Sequence, residues 1–205
     1  SAVSIAAIRL HPFNPPHFDS RHNGLWAGYQ WLNGINVRTG LKVPDHEAEQ
    51  FFKLIERAGI RYVFVRAGPI LPNGEIGHRP GSFFSMLQQR SPDTVYLPWL
   101  PGNAEQLDLS NPAWRKSFID QLQKLRDQGI AGIHLNIEPV SDNDSAYLDL
   151  LRDIRAAFGP SFFLSLATPP AGPFGLSFGE MKNHVWSKDY YKRIMRHANQ
   201  SVVMA

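Results

Sequence analysis

The chain of 205 residues contains no cysteine, which excludes disulfides and thiolate-ligated zinc. That absence leaves localisation open, because exported proteins also do without cysteine. No apolar run reaches the length of a membrane-spanning helix, about 18 residues. The opening "SAVSIAAIRL" lacks the charged start, long apolar centre and cleavage site of a complete signal peptide, although it fits the trimmed end of one. Neither GxGxxG nor GxxxxGK[ST] follows any apolar run, so nothing is built to cradle phosphates, and no cofactor is expected. An excess of one charge is scarce too. The net charge is +3, and the second half, residues 103–205, balances eleven basic against eleven acidic side chains. The one dense basic run, "KDYYKRIMRH", puts Lys188, Lys192, Arg193 and Arg196 on a helix with Tyr191, Ile194 and Met195. It reads as a solvated helix face, since a nucleic-acid footprint needs basic groups gathered into a patch. No nucleic-acid partner is expected.

What is present is enough apolar matter for one sizeable core, with 43% hydrophobic and 12% aromatic residues. Apolar or β-branched runs at about 25–31, 60–67, 94–100, 130–138, 162–168 and 201–205 read as strands. Helical patterns lie between them at about 45–58, 82–90, 112–128, 144–158 and 187–199. Asn111 and Pro112 fit an N-cap followed by proline at the first helical position, and Asp142 or Asn143 fits the cap of the fourth helix. In "RAGIRYVFV", "DQGIAGIHL" and "AFGPSFFLSL" a glycine ends a helix and leads straight into a strand. Alternating β and α elements imply parallel strands covered by helices, either an open doubly wound sheet or a (β/α)8 TIM-type barrel. About six strands and five helices are visible, and the chain stops inside the sixth strand at "SVVMA", so an incomplete barrel is expected. Residues 1–23 read as an extended leader and 24–205 as the barrel domain.

The stretch "GIHLNIEP", Gly132 to Pro139, decides between the two architectures. Its apolar residues Ile133, Leu135 and Ile137 share one face, while His134, Asn136 and Glu138 share the other with Gly132. Polar groups on an inward strand face fit a barrel, where functional groups point into the mouth at the C-terminal ends of strands. Glu138 ends its strand. Enclosed by aromatic walls, it is expected to have a pKa raised by desolvation, as a general acid requires. The competing reading is an ion pair with Arg66, which alternates inward with Tyr62 and Phe64. Tyr29 and Trp31 near the end of the first strand, and Trp99 in "YLPWLPG", are expected around the same mouth, where sugar rings stack on aromatic faces. For Trp99, stacking and core packing both remain open. Trp26 and Trp114 read as core.

"GIAGIHLNIEP" resembles the fourth-strand motif of glycoside hydrolase family 18, the chitinase family, D-G-x-D-x-D-x-E. "VVMA" resembles the start of that family's sixth strand and brings Met204 in as a substrate-binding candidate. "GLWAGYQW", "YVFVRAGPILPNGEIG", "LDLSNPAW", "GIHLNIEPV" and "WSKDYY" are more closely similar to bacterial chitinase-like glycosidase proteins, a likeness that spans most of residues 24–205. The resemblance implies Glu138 as the acid that protonates the glycosidic oxygen, with the substrate's acetamido group as nucleophile. Asn136 stands where the family has the aspartate that orients this group, and His134 replaces another aspartate. An amide can hold the acetamido group but brings no charge to the cation that develops. His134 either orients these neighbours or is a satisfied core residue. The implied function is hydrolysis of a β-linked, N-acetylated polysaccharide. The alternatives are a non-catalytic carbohydrate-binding protein on the same scaffold and a structural or envelope-associated domain with a vestigial pocket. No second carboxylate is visible on the inward faces of the first five strands, and in this reading it would come from residues after Ala205.

Two further motifs carry less. "GLSFG", Gly175 to Gly179, matches a GxSxG nucleophile elbow, but a proline-rich loop precedes it and only Asp189 and His197 follow, both on one short helix. His11, His17, Asp19 and His22 match no metal-ligand spacing, and no metal is expected. Unpaired first and sixth strands are expected to make the chain associate.

Overall fold

The structure is a computed structural model and describes residues 23–204. Residues 1–22 of the expected leader, with its histidines, lie outside them, and Asn23 already belongs to the first strand. Six strands form one parallel sheet in sequence order: β1 (Asn23–Ala27), β2 (Ile60–Arg66), β3 (Val95–Asn103), β4 (Gly132–Glu138), β5 (Phe163–Thr168) and β6 (Gln200–Val203). Six α-helices accompany them: α1 (Gln30–Asn33), α2 (Asp45–Arg57), α3 (Ser82–Arg90), α4 (Pro112–Asp127), α5 (Ser145–Phe158) and α6 (Lys188–Met195). The sheet curls into part of a (β/α)8 TIM-type barrel, as the alternating order and glycine junctions predict.

Packing follows from the period of two in the strands. Val63, Val65, Leu100, Ile133, Leu135 and Leu164 are fully buried and face the helices. The helices answer with apolar stripes, including Phe51, Phe52 and Ile55 on α2 and Leu148, Leu151 and Ile154 on α5. Helix starts are built chemically. Asn111 caps α4 by accepting from Ala113 N at 2.9 Å, with Pro112 in the first turn. The cap of α5 is Asp144, which accepts from Tyr147 N at 2.9 Å, and neither Asp142 nor Asn143 serves. Asp142 instead accepts from both the backbone N–H and the hydroxyl of Ser187, at 2.8 and 2.9 Å. It ties the loop after β4 to the start of α6.

The first strand differs from expectation. It ends at Ala27, and Gly28 and Tyr29 turn the chain into α1, so Trp31 lies on a helix. The aromatic run "WAGYQW" satisfies a strand's composition, yet its glycine breaks the ladder and the residues after it close a helical turn. That turn adds a sixth helix to the five read from the sequence.

Two glycines permit close backbone approaches near the inner face of the sheet. Gly132 starts β4 where an added Cβ would lie 2.2 Å from Phe163 O, so only glycine allows β5 to approach. A Cβ on Gly68 would lie 1.9 Å from His78 N, and Gly68 N donates to His78 O at 2.9 Å. The loop after β2 therefore folds back on itself and returns His78 to the mouth of the sheet.

Candidate functional site

Strand register builds the site. Arg66 pairs with Trp99, Trp99 with His134, His134 with Ser165, and Ser165 with Gln200, giving one transverse row across five strands. Partners in a parallel ladder share a face, and this is the inner one, opposite the helices. Asn136 and Glu138 stand further along β4 on the same face, level with Pro101 and Asn103. Phe64 and Trp26 stand one step below Arg66 in the row, paired with each other.

The polar end of the row is directional. Ser165 Oγ donates to Gln200 Oε1 at 2.8 Å, so its oxygen accepts from His134 Nδ1 at 2.8 Å. The imidazole is therefore protonated on Nδ1 and presents a bare lone pair on Nε2. His134 is fully buried, with Phe64 at 4.1 Å between ring centroids and Trp26 edge-on at 5.9 Å. Burial without a charged partner holds its pKa down to about 3, so the ring is neutral.

Three buried polar atoms of this face have no hydrogen-bond partner among the described residues: His134 Nε2, Asn136 Oδ1 and Trp99 Nε1. Two are acceptors and one is a donor. Such groups are costly in a dry interior and mark a place for polar matter. At the other end of the row, the Arg66 guanidinium lies over the Tyr29 ring at 5.2 Å and the Trp99 ring at 5.3 Å. His78 meets the same Tyr29 ring edge-on at 5.6 Å.

The row brings together most of the residues singled out from the sequence. His134, Asn136, Glu138, Arg66 and Trp99 share the inner face, and Tyr29 closes over Arg66 from the turn after β1. Met204 follows β6 half-buried, its N–H donating to Thr168 O at 2.9 Å. Trp31 stands apart in the helix layer, stacked on Phe51 with centroids 3.9 Å apart. Glu138 is exposed at the strand end rather than enclosed by aromatic walls, and Arg66 forms no ion pair with it. Trp114 is core, as expected, and its indole donates to Pro72 O at 2.8 Å. Trp26 is not: it lies on the inner face and is 44% exposed.

Three contributors escape a reading of the sequence. Trp26 reads as core because packing is the ordinary fate of a tryptophan, whereas the ladder pairs it with Phe64 on the inner face. Ser165 is legible as the polar member of the alternation Phe163, Ser165, Ala167 opposite Leu164 and Leu166. Gln200 falls just before the predicted start of its strand. Of the decoys, Ser177 of "GLSFG" lies in an irregular loop and donates to Val185 O at 3.1 Å. Among the described residues no group of three or more His, Asp and Glu could hold a metal. A cleft of about 560 Å³ opens at the far end of β2, beside Phe52, Glu56, Ile60 and Arg90, and contains none of the inner row.

No protein-family model matches the chain, and no curated protein matches its sequence. Solved structures do match its fold. The spore cortex-lytic enzyme SleL of Bacillus cereus superposes with a TM-score of 0.58 at 16% identity, over 89% of this chain and 42% of that one. A chitinase from Bacteroides thetaiotaomicron gives 0.57 at 14%, over 89% and 53%. A family GH18 chitinase from Chromobacterium violaceum gives 0.55 at 19%, over 87% and 47%. The chain thus spans about half the length of these structures. At such identities what is shared is the architecture: this chain has the fold of part of a (β/α)8 barrel.

Proposed function

We propose that the chain is the strand-one-to-six portion of a glycoside hydrolase acting on a β-linked, N-acetylated glycan, with Glu138 as the general acid. The observation that carries this reading is the inner row. A carboxyl group ends β4 in the open mouth, above a buried floor whose His134 Nε2, Asn136 Oδ1 and Trp99 Nε1 lack partners. Sugars offer both donors and acceptors, and an acetamido group offers one of each. Its N–H fits an acceptor such as Asn136 Oδ1, while its carbonyl oxygen attacks the anomeric carbon as Glu138 protonates the leaving oxygen. Trp26, exposed on the same face, supplies an aromatic surface for a sugar ring.

Glu138→Gln is the test. The amide keeps the shape and removes the acid, so turnover of a poor-leaving-group glycoside falls by about 100-fold or more, while binding changes little. A substrate with an activated leaving group suffers less. Asn136→Asp raises turnover, because the restored charge stabilises the cation that develops after the ground state.

One observation favours a second reading. Glu138 is the only carboxylate in any of the six strands, which suits a protein that binds glycans without cleaving them. Equal, near-zero hydrolysis by wild type and Glu138→Gln across a panel of glycosides, with sugar binding retained in both, establishes that reading and overturns the first.

A further inference from the structure

Arg66 is the one cation on the inner faces of the six strands, and among the described residues nothing compensates it. It ends β2 with its guanidinium exposed between the Tyr29 and Trp99 rings, and among the described residues it has neither a carboxylate partner nor a hydrogen-bond acceptor. Two aromatic contacts hold the group, while its N–H donors, the part that grips an oxyanion, have no acceptor among the described residues. An arginine held only for packing would be expected to take an acceptor from the many backbone carbonyls of a strand end. This one keeps its donors free.

The field around it points the same way. Of the polar side chains on the same inner face, His134 is a neutral ring with a bare Nε2, Asn136 is an amide, and Gln200, at the far end of the row, is another. The two inner-face positions that align with aspartates in the family's motif, His134 and Asn136, thus carry no charge. Glu138 is the sole anion on the strands' inner face, four residues beyond His134 on β4. Two further carboxylates on this face would repel an anionic ligand, and here they are missing, while the guanidinium that would attract one is present.

We infer that the site takes an acidic glycan, one whose sugar units carry a carboxylate, and that Arg66 reads this carboxylate through paired N–H donors. The inference rests on the proposed glycan-binding function and narrows its substrate class from neutral chitin-like polymers to carboxylated ones. Two sugar chemistries present such a group: a lactyl ether on an amino sugar and a uronic acid. They differ in where the carboxylate hangs from the ring, so the same experiment separates them.

The test is calorimetric binding of the 205-residue chain to three tetrasaccharides of equal length. One is chitotetraose, one alternates N-acetylglucosamine with its lactyl-ether derivative, and one alternates N-acetylglucosamine with glucuronic acid. The expected result is that at least one acidic ligand binds about 10-fold to 100-fold tighter than chitotetraose, the worth of a hydrogen bond to a charged group. Arg66→Met brings the ratio of the two affinities toward one, and Arg66→Lys, which keeps the charge and loses the planar fork, gives an intermediate ratio. Raising the salt concentration lowers the acidic affinity more than the neutral one. Wild type binding chitotetraose as tightly as both acidic ligands overturns the inference and leaves the glycan reading standing. A preference that survives Arg66→Met overturns the role of Arg66. Failure of all three ligands to bind overturns the glycan reading and the inference together.

Discussion

Replacing His134 by glutamine removes a buried titratable ring while leaving a side chain able to meet Ser165. In the folded protein the imidazole is pushed from the ordinary 6.5 down to about 3 by burial, with Phe64 and Trp26 around it and no anion to stabilise its cation. As the pH falls through about 6.5, the unfolded chain binds a proton at this position and the folded chain does not. The stabilising effect of keeping the ring neutral is therefore fully present above about 6.5 and drains away as the pH approaches 3. At about 1.4 kcal/mol per pH unit the full difference is about 5 kcal/mol, and at pH 5 the loss relative to pH 8 is about 2 kcal/mol. Urea unfolding of wild type and His134→Gln at pH 8, 6.5 and 5 measures it. Every other group titrates alike in both chains, so the difference between them isolates His134. Wild type should lose about 2 kcal/mol more than the variant between pH 8 and 5. Stabilities that fall in parallel would refute the reasoning, because the ring would then titrate equally in both states.

Trp26→Ala should weaken binding of a β-linked amino-sugar oligomer by about 1–3 kcal/mol, a range taken from aromatic stacking on nucleobases, at little cost in thermal stability because the ring is already 44% exposed. Trp99→Ala should lower binding and stability together, since that ring also carries Arg66; calorimetry and thermal melts on both variants would contradict the assignment if the two exchanged behaviour. Asp142→Ala removes both bonds to Ser187 and should cost about 2–3 kcal/mol in urea unfolding. A cost below about 0.5 kcal/mol, the usual size of a surface change, would mean that the loop after β4 holds to α6 without it.

Most of the architecture is legible because parallel strands and amphipathic helices write different periods. The glycine junctions at Gly59, Gly129 and Gly159 locate strands two, four and five closely, and the alternation in "GIHLNIEP" puts His134, Asn136 and Glu138 on one face, as the ladder has them. The first strand is harder to read. Trp26, Tyr29 and Trp31 are equally at home in strand and helix, and only the backbone turn at Gly28 decides that Trp26 faces inward while Trp31 joins the helix layer. Contacts between distant segments leave no local trace either. Nothing near Asp142 in the chain announces Ser187, and the stacking of Arg66 between Tyr29 and Trp99 depends on three segments meeting. The sequence offers Glu138 as Arg66's partner because opposite charges invite pairing, whereas the ladder sets Arg66 level with Trp99 and places Glu138 four residues beyond His134 on β4.

The hydrogen bonds from β4 to β6 give the floor of the barrel a polarity, and that polarity is settled at its far end. Ser165 has one proton to give, and because Gln200 Oε1 takes it, His134 must give its own proton to Ser165 and keep Nε2 bare. Were the acceptor at Gln200 absent, the serine proton could turn to Nδ1, and the tautomer would invert, making Nε2 a donor. The sign of the hydrogen bond offered beneath Glu138 is thus written two strands away, on Gln200. Changes on β6 could therefore reverse which ligand groups the floor accepts while leaving every residue of "GIHLNIEP" in place.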